Sequence, residues 1–240
     1  FPLGPGMGRK QVLHDINLEL HAGEVVALVG ESGSGKSTIA RIIARIETAD
    51  SGSVVYEGKD VLVDQPHGAT LAYRGDIQMI FQDPFGSLNP VHKIGHHIER
   101  PLLRHGKAGD DVDAKVIQLL EEVDLKPGSD YADRYPHALS GGQRQRVAIS
   151  RALAVEPRII LADEPTSMLD VSTRLEIMNQ LRALCDRRGI AMLFVTHDLE
   201  SAKYLADRIV VLYAGHVVEE GPVNDVLAAP SHPYTQILLK

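Results

Sequence analysis

The sequence predicts an α/β fold in which helices cover a mostly parallel sheet. Three observations support this fold. An apolar run leads through a glycine-rich turn into a helical pattern at residues 24–46, apolar strand-like runs return at residues 158–215, and helical stretches separate those runs. Such alternation is typical of parallel sheets, because each crossover between parallel strands needs a long connection. At 240 residues, the chain is long enough for one large domain with a smaller inserted lobe.

The first part of the chain shows strand patterns around one amphipathic helix. Residues 11–20 alternate apolar and polar as a half-buried strand does, and "EVVALVG" at residues 24–30 suits a buried strand. Isoleucines then recur at a spacing of three and four residues, which predicts a helix with one buried stripe. That stripe consists of Ile39, Ile42, Ile43 and Ile46. Residues 52–81 contain turn residues and two strand-like pieces, "GSVVYEG" and "DIQMIF".

The middle third of the chain differs from both flanks. Between Pro90 and Val155 the β-branched runs disappear and helical periodicity takes over, as in "DAKVIQLLEEV". We therefore interpret the chain as one domain, residues 1–240. Its core and β subdomain comprise residues 1–88 and 156–240, and a helical subdomain spans about residues 89–155.

Composition excludes several classes of protein. The sequence has no apolar run of about 18 or more residues and no secretion leader, so we expect any membrane association to come through a partner. The formal net charge of −7 argues against a nucleic-acid partner. Cys185 is the only cysteine, which excludes intramolecular disulfides and a cysteine-built zinc site. The chain starts at Phe1 and ends at Lys240 within a helical pattern, and we expect further residues at both ends.

The first glycine-rich turn is typical of a phosphate-binding loop. Residues 30–37, "GESGSGKS", match the pattern G-x-x-x-x-G-K-[ST] between a predicted strand and a predicted helix. We expect Lys36 to reach the β- and γ-phosphates of a nucleoside triphosphate and Ser37 to bind Mg²⁺, at the positive end of the helix. The motif alone leaves a kinase, a GTPase, a nucleic-acid motor and a transporter ATPase open. The residues of this cradle are Gly30, Glu31, Ser32, Gly33, Ser34, Gly35, Lys36, Ser37 and Thr38.

Acidic and polar side chains follow the other strand-like runs. Asp163 and Glu164 come directly after an apolar run, which would deliver them to the carboxyl edge of the sheet. We expect Asp163 to hold Mg²⁺, directly or through water, and Glu164 to polarise the attacking water. Gln82 would supply an amide oxygen to Mg²⁺ or to the water, and His197 would contact the γ-phosphate or orient the water. Taken singly, the acids also fit a helix cap and the histidine a structural role.

A second glycine turn precedes the helical stretch "GQRQRVAISRALAV". Ser140, Gly141 and Gly142 would present free amides at the positive end of that helix, which suits an anion. This turn has no lysine to hold an anion alone. These residues alone leave open why the chain carries a second glycine turn of this kind.

Together these motifs resemble the nucleotide-binding domain of ATP-binding cassette (ABC) proteins over nearly the whole chain, and "LSGGQ" at residues 139–143 is that family's signature. The resemblance implies an ABC-type P-loop NTPase with a RecA-like core, a small antiparallel β subdomain and an inserted helical subdomain. It implies ATP and Mg²⁺ as cofactors. In the family, the signature turn binds the γ-phosphate of ATP held on a partner subunit, which explains a glycine turn without a lysine.

The resemblance also assigns roles to single residues. Gln82 corresponds to the family's Q-loop glutamine, Glu164 to its catalytic base and His197 to its switch histidine. The family stacks adenine on an aromatic side chain ahead of the first strand. Phe1 is the only aromatic residue before residue 56, so that role falls to Phe1 or to a residue upstream. The residues implied at the partner's ATP are Ser140, Gly141, Gly142, Gln143 and Asp170.

Within the family, three stretches resemble ATPase subunits of oligopeptide and dipeptide importers, a group that also serves nickel, glutathione and some oligosaccharides. They are "QMIFQDPFGSLNP", "YPHALSGGQRQR" and "EEGPVNDVLAAPSHPYTQILL". The "HPYT" element at residues 232–235 is the more telling piece. By itself, that tetrapeptide also fits an ordinary helix cap.

The resemblance implies partners and a location. We expect a second ABC ATPase packed head to tail, either identical or related or part of one longer polypeptide, and a separate pair of transmembrane permease subunits. An extracytoplasmic solute-binding protein would act indirectly, and the chain would be peripheral on the cytoplasmic side of the cell membrane. The alternative of a soluble ABC ATPase not linked to transport predicts a basic surface or long inserted arms, which neither charge nor length supports. A degenerate regulatory cassette would lack a carboxylate or a histidine, whereas Glu164 and His197 are present.

Overall fold

The computed structural model describes residues 11–239. Its strands, numbered along the chain, are β1 Val25–Val29, β2 Val55–Tyr56, β3 Lys59–Asp60, β4 Ile77–Ile80, β5 Ile159–Asp163, β6 Ala191–Thr196, β7 Arg208–Tyr213 and β8 His216–Pro222. One sheet has the order β4-β5-β6-β1-β7-β8, and β2 and β3 form a separate antiparallel ladder. Within the large sheet, β8 is antiparallel to β7 and the other neighbours are parallel.

Several helices start or stop at residues whose side chains or backbone favour those ends. Asp111, Ser140 and Asp170 each accept a backbone N–H in the first turn of a helix, and Gly189 ends the longest of them in the left-handed conformation. The helices are α1 Lys36–Ile43, α2 Val61–Asp64, α3 Leu71–Asp76, α4 Pro84–Ser87, α5 Ile94–Arg104, α6 Val112–Glu122, α7 Gly128–Ala132, α8 Gly141–Leu153, α9 Val171–Arg188, α10 Leu199–Leu205, α11 Val223–Ala228 and α12 Pro233–Leu238, with a 3-10 turn at Pro136–Ala138.

The parallel sheet follows from its apolar strands. Every residue of β1 and β6 is buried, because helices cover both faces of the sheet. One core cluster joins the sheet to α5, α6, α8 and α9, and a second joins its other face to α1. The parallel arrangement leaves the carboxyl ends of β4, β5, β6 and β1 at one edge, which is where such sheets bind ligands.

Two local predictions are wrong. Residues 11–20 form no strand: the His14 N–H donates to the Gly215 carbonyl (2.8 Å), without the run of bonds that a ladder needs. Their alternation predicted burial instead, because Leu13, Ile16, Leu18 and Leu20 pack against the second core cluster. The helical stripe also ends early, since α1 stops at Ile43 and leaves Ile46 55% exposed.

The segment between the first glycine turn and the helical third is divided. The piece "GSVVYEG" contributes only β2, which pairs with β3 in the small antiparallel ladder. The piece "DIQMIF" contributes β4, which pairs with β5 at the edge of the large sheet. The antiparallel strand β8 was not predicted from the sequence.

The middle third is helical. From residue 81 to residue 158, a stretch that the structure describes throughout, the chain forms helices and turns and no strand. Helices α5, α6 and α8 each contribute buried apolar residues to one cluster with the sheet. The segment boundaries at residues 89 and 155 stay a prediction.

Within residues 11–239, no helix is long and apolar enough to cross a lipid bilayer.

Candidate functional site

The predicted phosphate-binding loop lies between β1 and α1 and wraps around the side chain of Lys36. The ammonium Nζ of Lys36 donates to the carbonyl oxygens of Gly30 (2.6 Å) and Glu31 (2.7 Å), and the residue is only 4% exposed. A Cβ at Gly30 would collide with the Leu212 carbonyl oxygen, and Gly35 has a φ of 110° immediately before α1. Both positions therefore require glycine.

The N-terminus of α1 adds a second feature of an anion site. The first turn of α1 contains Lys36, Ser37 and Thr38 and no acidic residue. The first backbone N–H groups of a helix have no partner within it, and the helix dipole makes this end positive. The residues predicted for the cradle, 30–38, thus form one continuous loop and helix start that suits phosphate.

Asp163 ends β5 beside this loop. The hydroxyl of Ser37 donates to Asp163 Oδ1 (2.7 Å), and Asp163 is 3% exposed. Burial raises the pKa of Asp163, and the hydrogen bond from Ser37 opposes that shift. Carboxylate and hydroxyl oxygens are ligands that Mg²⁺ prefers. The donor set of Ser37 and Asp163 therefore fits Mg²⁺.

Glu164 is held by donors from two neighbouring strands. The amide Nε2 of Gln82 donates to Glu164 Oε2 (3.1 Å), and Nδ1 of His197 lies 3.1 Å from Glu164 Oε1. Gln82 follows β4 and His197 follows β6, the strands on either side of β5. The structure thus brings together three of the residues predicted from the sequence. A carboxylate fixed in this way can accept a proton from a water molecule.

The backbone at Glu164 is also unusual. Its φ is 45°, a left-handed conformation that a residue with a side chain rarely adopts. The Glu164 N–H nevertheless donates to the Val195 carbonyl (2.9 Å), which ties this residue to β6. Such a backbone outlier is typical of functional sites, where the surrounding structure maintains the strain.

The charge balance of the site suits a ligand that brings an anion and a divalent cation together. Burial lowers the pKa of Lys36, and the carboxylates of Glu164, Asp163 and Glu31 oppose that shift. A buried ammonium with three carboxylates nearby leaves acceptor oxygens for a metal ion and a cation for a phosphate.

The signature turn corrects one expectation. Ser140 and Gln143 form a capping box, in which Gln143 N–H donates to Ser140 Oγ (3.2 Å) and Ser140 N–H donates to Gln143 Oε1 (3.0 Å). The prediction of a free amide at Ser140 is therefore wrong, because the side chain of Gln143 accepts its hydrogen bond. The Gln143 N–H is bonded as well, to Ser140 Oγ, so the predicted anion contact falls to the N–H groups of Gly141 and Gly142.

Asp170 caps α9 beside the same turn. Its carboxylate accepts from Thr173 N–H (3.0 Å), Thr173 Oγ1 (2.8 Å) and Ser172 Oγ (2.7 Å), and these bonds lower the pKa of Asp170. A Cβ at Gly142 would collide with Thr173 Cγ2. The signature turn and the cap of α9 therefore pack directly against each other.

One predicted residue cannot be placed, and two residues near the site were not predicted. Phe1, the expected adenine contact, lies outside the described residues. Sequence reasoning missed Asp198, whose N–H donates to Thr196 Oγ1 (3.0 Å) and whose carboxylate pairs with Arg174 (3.4 Å), directly after His197. It also missed the hydrogen bond of Tyr234 to the phosphate loop, although the motif that contains Tyr234 stood out in the sequence.

A glycine loop around a buried lysine, next to a serine–aspartate pair and a glutamate at the edge of a parallel sheet, defines a P-loop nucleoside triphosphatase. The model of the family described as ABC transporter matches residues 13–167. The chain belongs to the ABC transporter family. This confirms the predicted fold class and the ATPase activity.

Two curated relatives agree with this family assignment. The Dipeptide transport ATP-binding protein DppF of Escherichia coli (strain K12) is 40% identical over 244 residues, which cover 100% of this chain and 72% of DppF. The Glutathione import ATP-binding protein GsiA of the same organism is 44% identical over 245 residues, 100% of this chain and 39% of GsiA.

Two solved structures show the same fold. A dimeric post-hydrolysis state of the ATP-binding cassette MJ0796, bound to ADP and Pi, has a TM-score of 0.77 at 34% identity and covers 91% of this chain and 94% of that one. The cbiO1 protein from Clostridium perfringens, part of the ABC transporter complex cbiONQ, has a TM-score of 0.78 at 28% identity, covering 90% and 84%.

Proposed function

We propose that this chain is the ATP-hydrolysing subunit that energises import of dipeptides or oligopeptides through a separate pair of transmembrane subunits. The names of its relatives, a dipeptide transport protein and a glutathione import protein, support this substrate group. Nickel and oligosaccharides are the other solutes of the group to which the sequence motifs are similar. A soluble ABC ATPase unconnected with transport is not favoured by these relatives.

The observation that carries the ATP-hydrolysing part of the proposal is the position of Glu164 between Gln82 and His197, next to the Ser37–Asp163 pair. Lys36 binds the β- and γ-phosphates of ATP. Glu164 accepts the proton of the attacking water, and His197 orients that water or contacts the γ-phosphate.

A metal ion fits the same edge of the sheet. Ser37, Asp163 and Gln82 would hold Mg²⁺, which when bound neutralises charge on the phosphates. The hydrogen bond between Ser37 and Asp163 keeps these two oxygens together.

A second cassette completes the site. Residues 140–143 and Asp170 act on ATP held by the partner in a head-to-tail pair, and the dimeric cassettes of the same fold support this arrangement. The partner is an identical or a related ATPase. Two identical copies contain every half-site that the pair needs, since each chain carries both glycine turns. Binding of ATP closes the pair and hydrolysis opens it.

The remaining partners follow from the proposed role. The chain lies on the cytoplasmic side of the cell membrane as a peripheral subunit. The helical subdomain, about residues 89–155, and the surface near Gln82 receive the transmembrane permease subunits, and an extracytoplasmic solute-binding protein acts through them. No nucleic acid takes part.

Uptake of labelled solutes tests the proposal. Cells that carry Glu164→Gln at the chain's own locus should lose uptake of a labelled dipeptide. Glu200→Gln, an exposed residue on α10, should keep that uptake and serves as the matched control. Labelled glutathione and nickel, assayed in parallel, identify the solute. Unchanged uptake of all three in Glu164→Gln, with its ATP hydrolysis lost, would contradict the role in import.

A further inference from the structure

The "HPYT" element connects the last helix to the phosphate-binding loop. Residues 232–235 form the start of α12, and Tyr234 is 6% exposed. Its hydroxyl oxygen accepts a hydrogen bond from the Glu31 N–H (2.8 Å), across 203 residues of sequence. An ordinary helix cap needs only the bond from the Tyr234 N–H to His232 Nδ1 (3.2 Å). The bond of the hydroxyl to the loop serves another purpose.

Several contacts fix Tyr234 in this place. Its ring packs on the ring of Tyr213, the last residue of β7, with centroids 4.3 Å apart. The Glu219 carboxylate on β8 accepts from Ser231 N–H (2.7 Å) and His232 N–H (3.0 Å), which ties the start of the motif to the sheet. The hydroxyl is therefore presented to the loop by a segment that is itself anchored to β7 and β8.

The bonded amide belongs to the peptide unit that contacts Lys36. The Glu31 N–H and the Gly30 carbonyl lie on opposite sides of one planar peptide. The carbonyl accepts from Lys36 Nζ (2.6 Å), while the N–H donates to Tyr234 (2.8 Å). A bond to the N–H fixes the direction of the carbonyl, and the two bonds polarise each other. The hydroxyl of Tyr234 and the ammonium of Lys36 thus hold this peptide from its two sides.

Space around Gly30 strengthens the same conclusion. The Leu212 carbonyl oxygen lies so close that Gly30 has no room for a Cβ. The Gly30–Glu31 peptide is therefore bounded by the end of β7 on one side and by Tyr234 on the other. If the hydroxyl is removed, the Gly30–Glu31 peptide can rotate on the side that faces residue 234. That rotation turns the Gly30 carbonyl away from Lys36.

We propose that Tyr234 is a positioning residue for ATP binding: its hydroxyl holds the Gly30–Glu31 peptide in the orientation that places Lys36 in the phosphate cradle. The proposal rests on the proposed role of residues 30–38 in binding ATP. It gives the "HPYT" element a function, which is to link α12 to the affinity of the site for nucleotide.

Tyr234→Phe tests this in the full chain, since it removes the hydroxyl and keeps the ring. We expect the Kd and the KM for MgATP to rise about 3- to 10-fold, the effect of losing one net hydrogen bond. The kcat should stay within about twofold, because Glu164 is untouched. Hydrogen exchange at the Glu31 amide should accelerate.

Tyr204→Phe is the matched control. Its hydroxyl donates one hydrogen bond, to Asn179 (2.6 Å) on α9, away from the loop. This variant should keep the wild-type Kd, KM and exchange at Glu31. A similar rise of KM in both variants would overturn the proposal, since the effect would then be general.

Lys36→Ala distinguishes a failure of the proposed ATP site from a failure of the positioning role of Tyr234. If Lys36→Ala loses ATP binding while Tyr234→Phe keeps the wild-type Kd, the positioning role is wrong and the ATP site stands. If Lys36→Ala binds ATP normally, the ATP site itself is wrong. A fall in kcat for Tyr234→Phe with KM unchanged also overturns the positioning role.

Discussion

Replacement of Glu164 by glutamine separates catalysis from folding. The change exchanges one carboxylate oxygen for an amide group of the same size. The two oxygens of Glu164 are near Gln82 Nε2 and His197 Nδ1, each at 3.1 Å. One of these donors then faces an amide donor, which costs about 1 kcal/mol of stability. The variant should therefore fold.

Turnover should fall much further. Loss of a general base lowers the rate on the order of 100- to 10,000-fold. At about 1.4 kcal/mol for each tenfold change, this corresponds to roughly 3 to 6 kcal/mol of activation free energy. The Kd for MgATP should change little, because Lys36 and the loop are intact.

Phosphate release at saturating MgATP and nucleotide binding, measured on the same preparation, give both quantities. Glu200→Gln is the control and should keep its turnover within about twofold, as expected of an exposed surface change. Turnover of Glu164→Gln within a few-fold of wild type would refute the role of Glu164 as the base.

Three further predictions concern other parts of the site. Lys36→Ala should raise the Kd for ATP about 10- to 100-fold in a titration, because a charged hydrogen bond to phosphate is lost; an unchanged Kd would count against the phosphate cradle. Burial raises the pKa of Asp163 in the folded protein above its value in the unfolded chain. The free energy of unfolding therefore falls as the pH rises from the unfolded pKa to the folded pKa. Asp163→Asn should then raise the urea midpoint at pH 7 in Mg²⁺-free buffer, with a gain that shrinks towards about pH 4, and a lowered midpoint at pH 7 would contradict this. Ser140→Ala removes the cap of α8 and should lower the free energy of unfolding by about 1 kcal/mol in urea titration; an equal midpoint would show that the capping box does not stabilise the fold.

Local patterns in the sequence were sufficient to predict most of the candidate site. The strand before Asp163 and the glycine loop before Lys36 are both short-range signals, and parallel strands place their ends at one edge of a sheet. Gln82, Glu164 and His197 meet there because β4, β5 and β6 are neighbours. This order of strands did not need to be known, since every parallel strand ends at the same edge.

The sequence-based predictions were wrong where tertiary contacts determine the local structure. Residues 11–20 have the alternation of a strand, and their apolar side chains are packed as predicted, but a ladder needs a partner that the pattern does not specify. The capping box at Ser140 had a visible signal, because serine followed three residues later by glutamine is its usual pattern.

The contact of Tyr234 with Glu31 had no local signal. The two residues are 203 positions apart, and only the placement of α12 beside the end of β7 brings them together. Long-range contacts of this kind depend on the topology, so the sequence could mark the "HPYT" element as distinctive without showing what it touches.

The shared ATP site is tested most directly by the molar mass of Glu164→Gln in solution, measured by light scattering with and without MgATP. The variant binds ATP without consuming it, so the closed pair should accumulate. We expect twice the mass of one chain at saturating MgATP, a single-chain mass without nucleotide, and no doubling when Ser140→Arg is added. A single-chain mass at saturating MgATP would contradict a site shared between two copies of this chain.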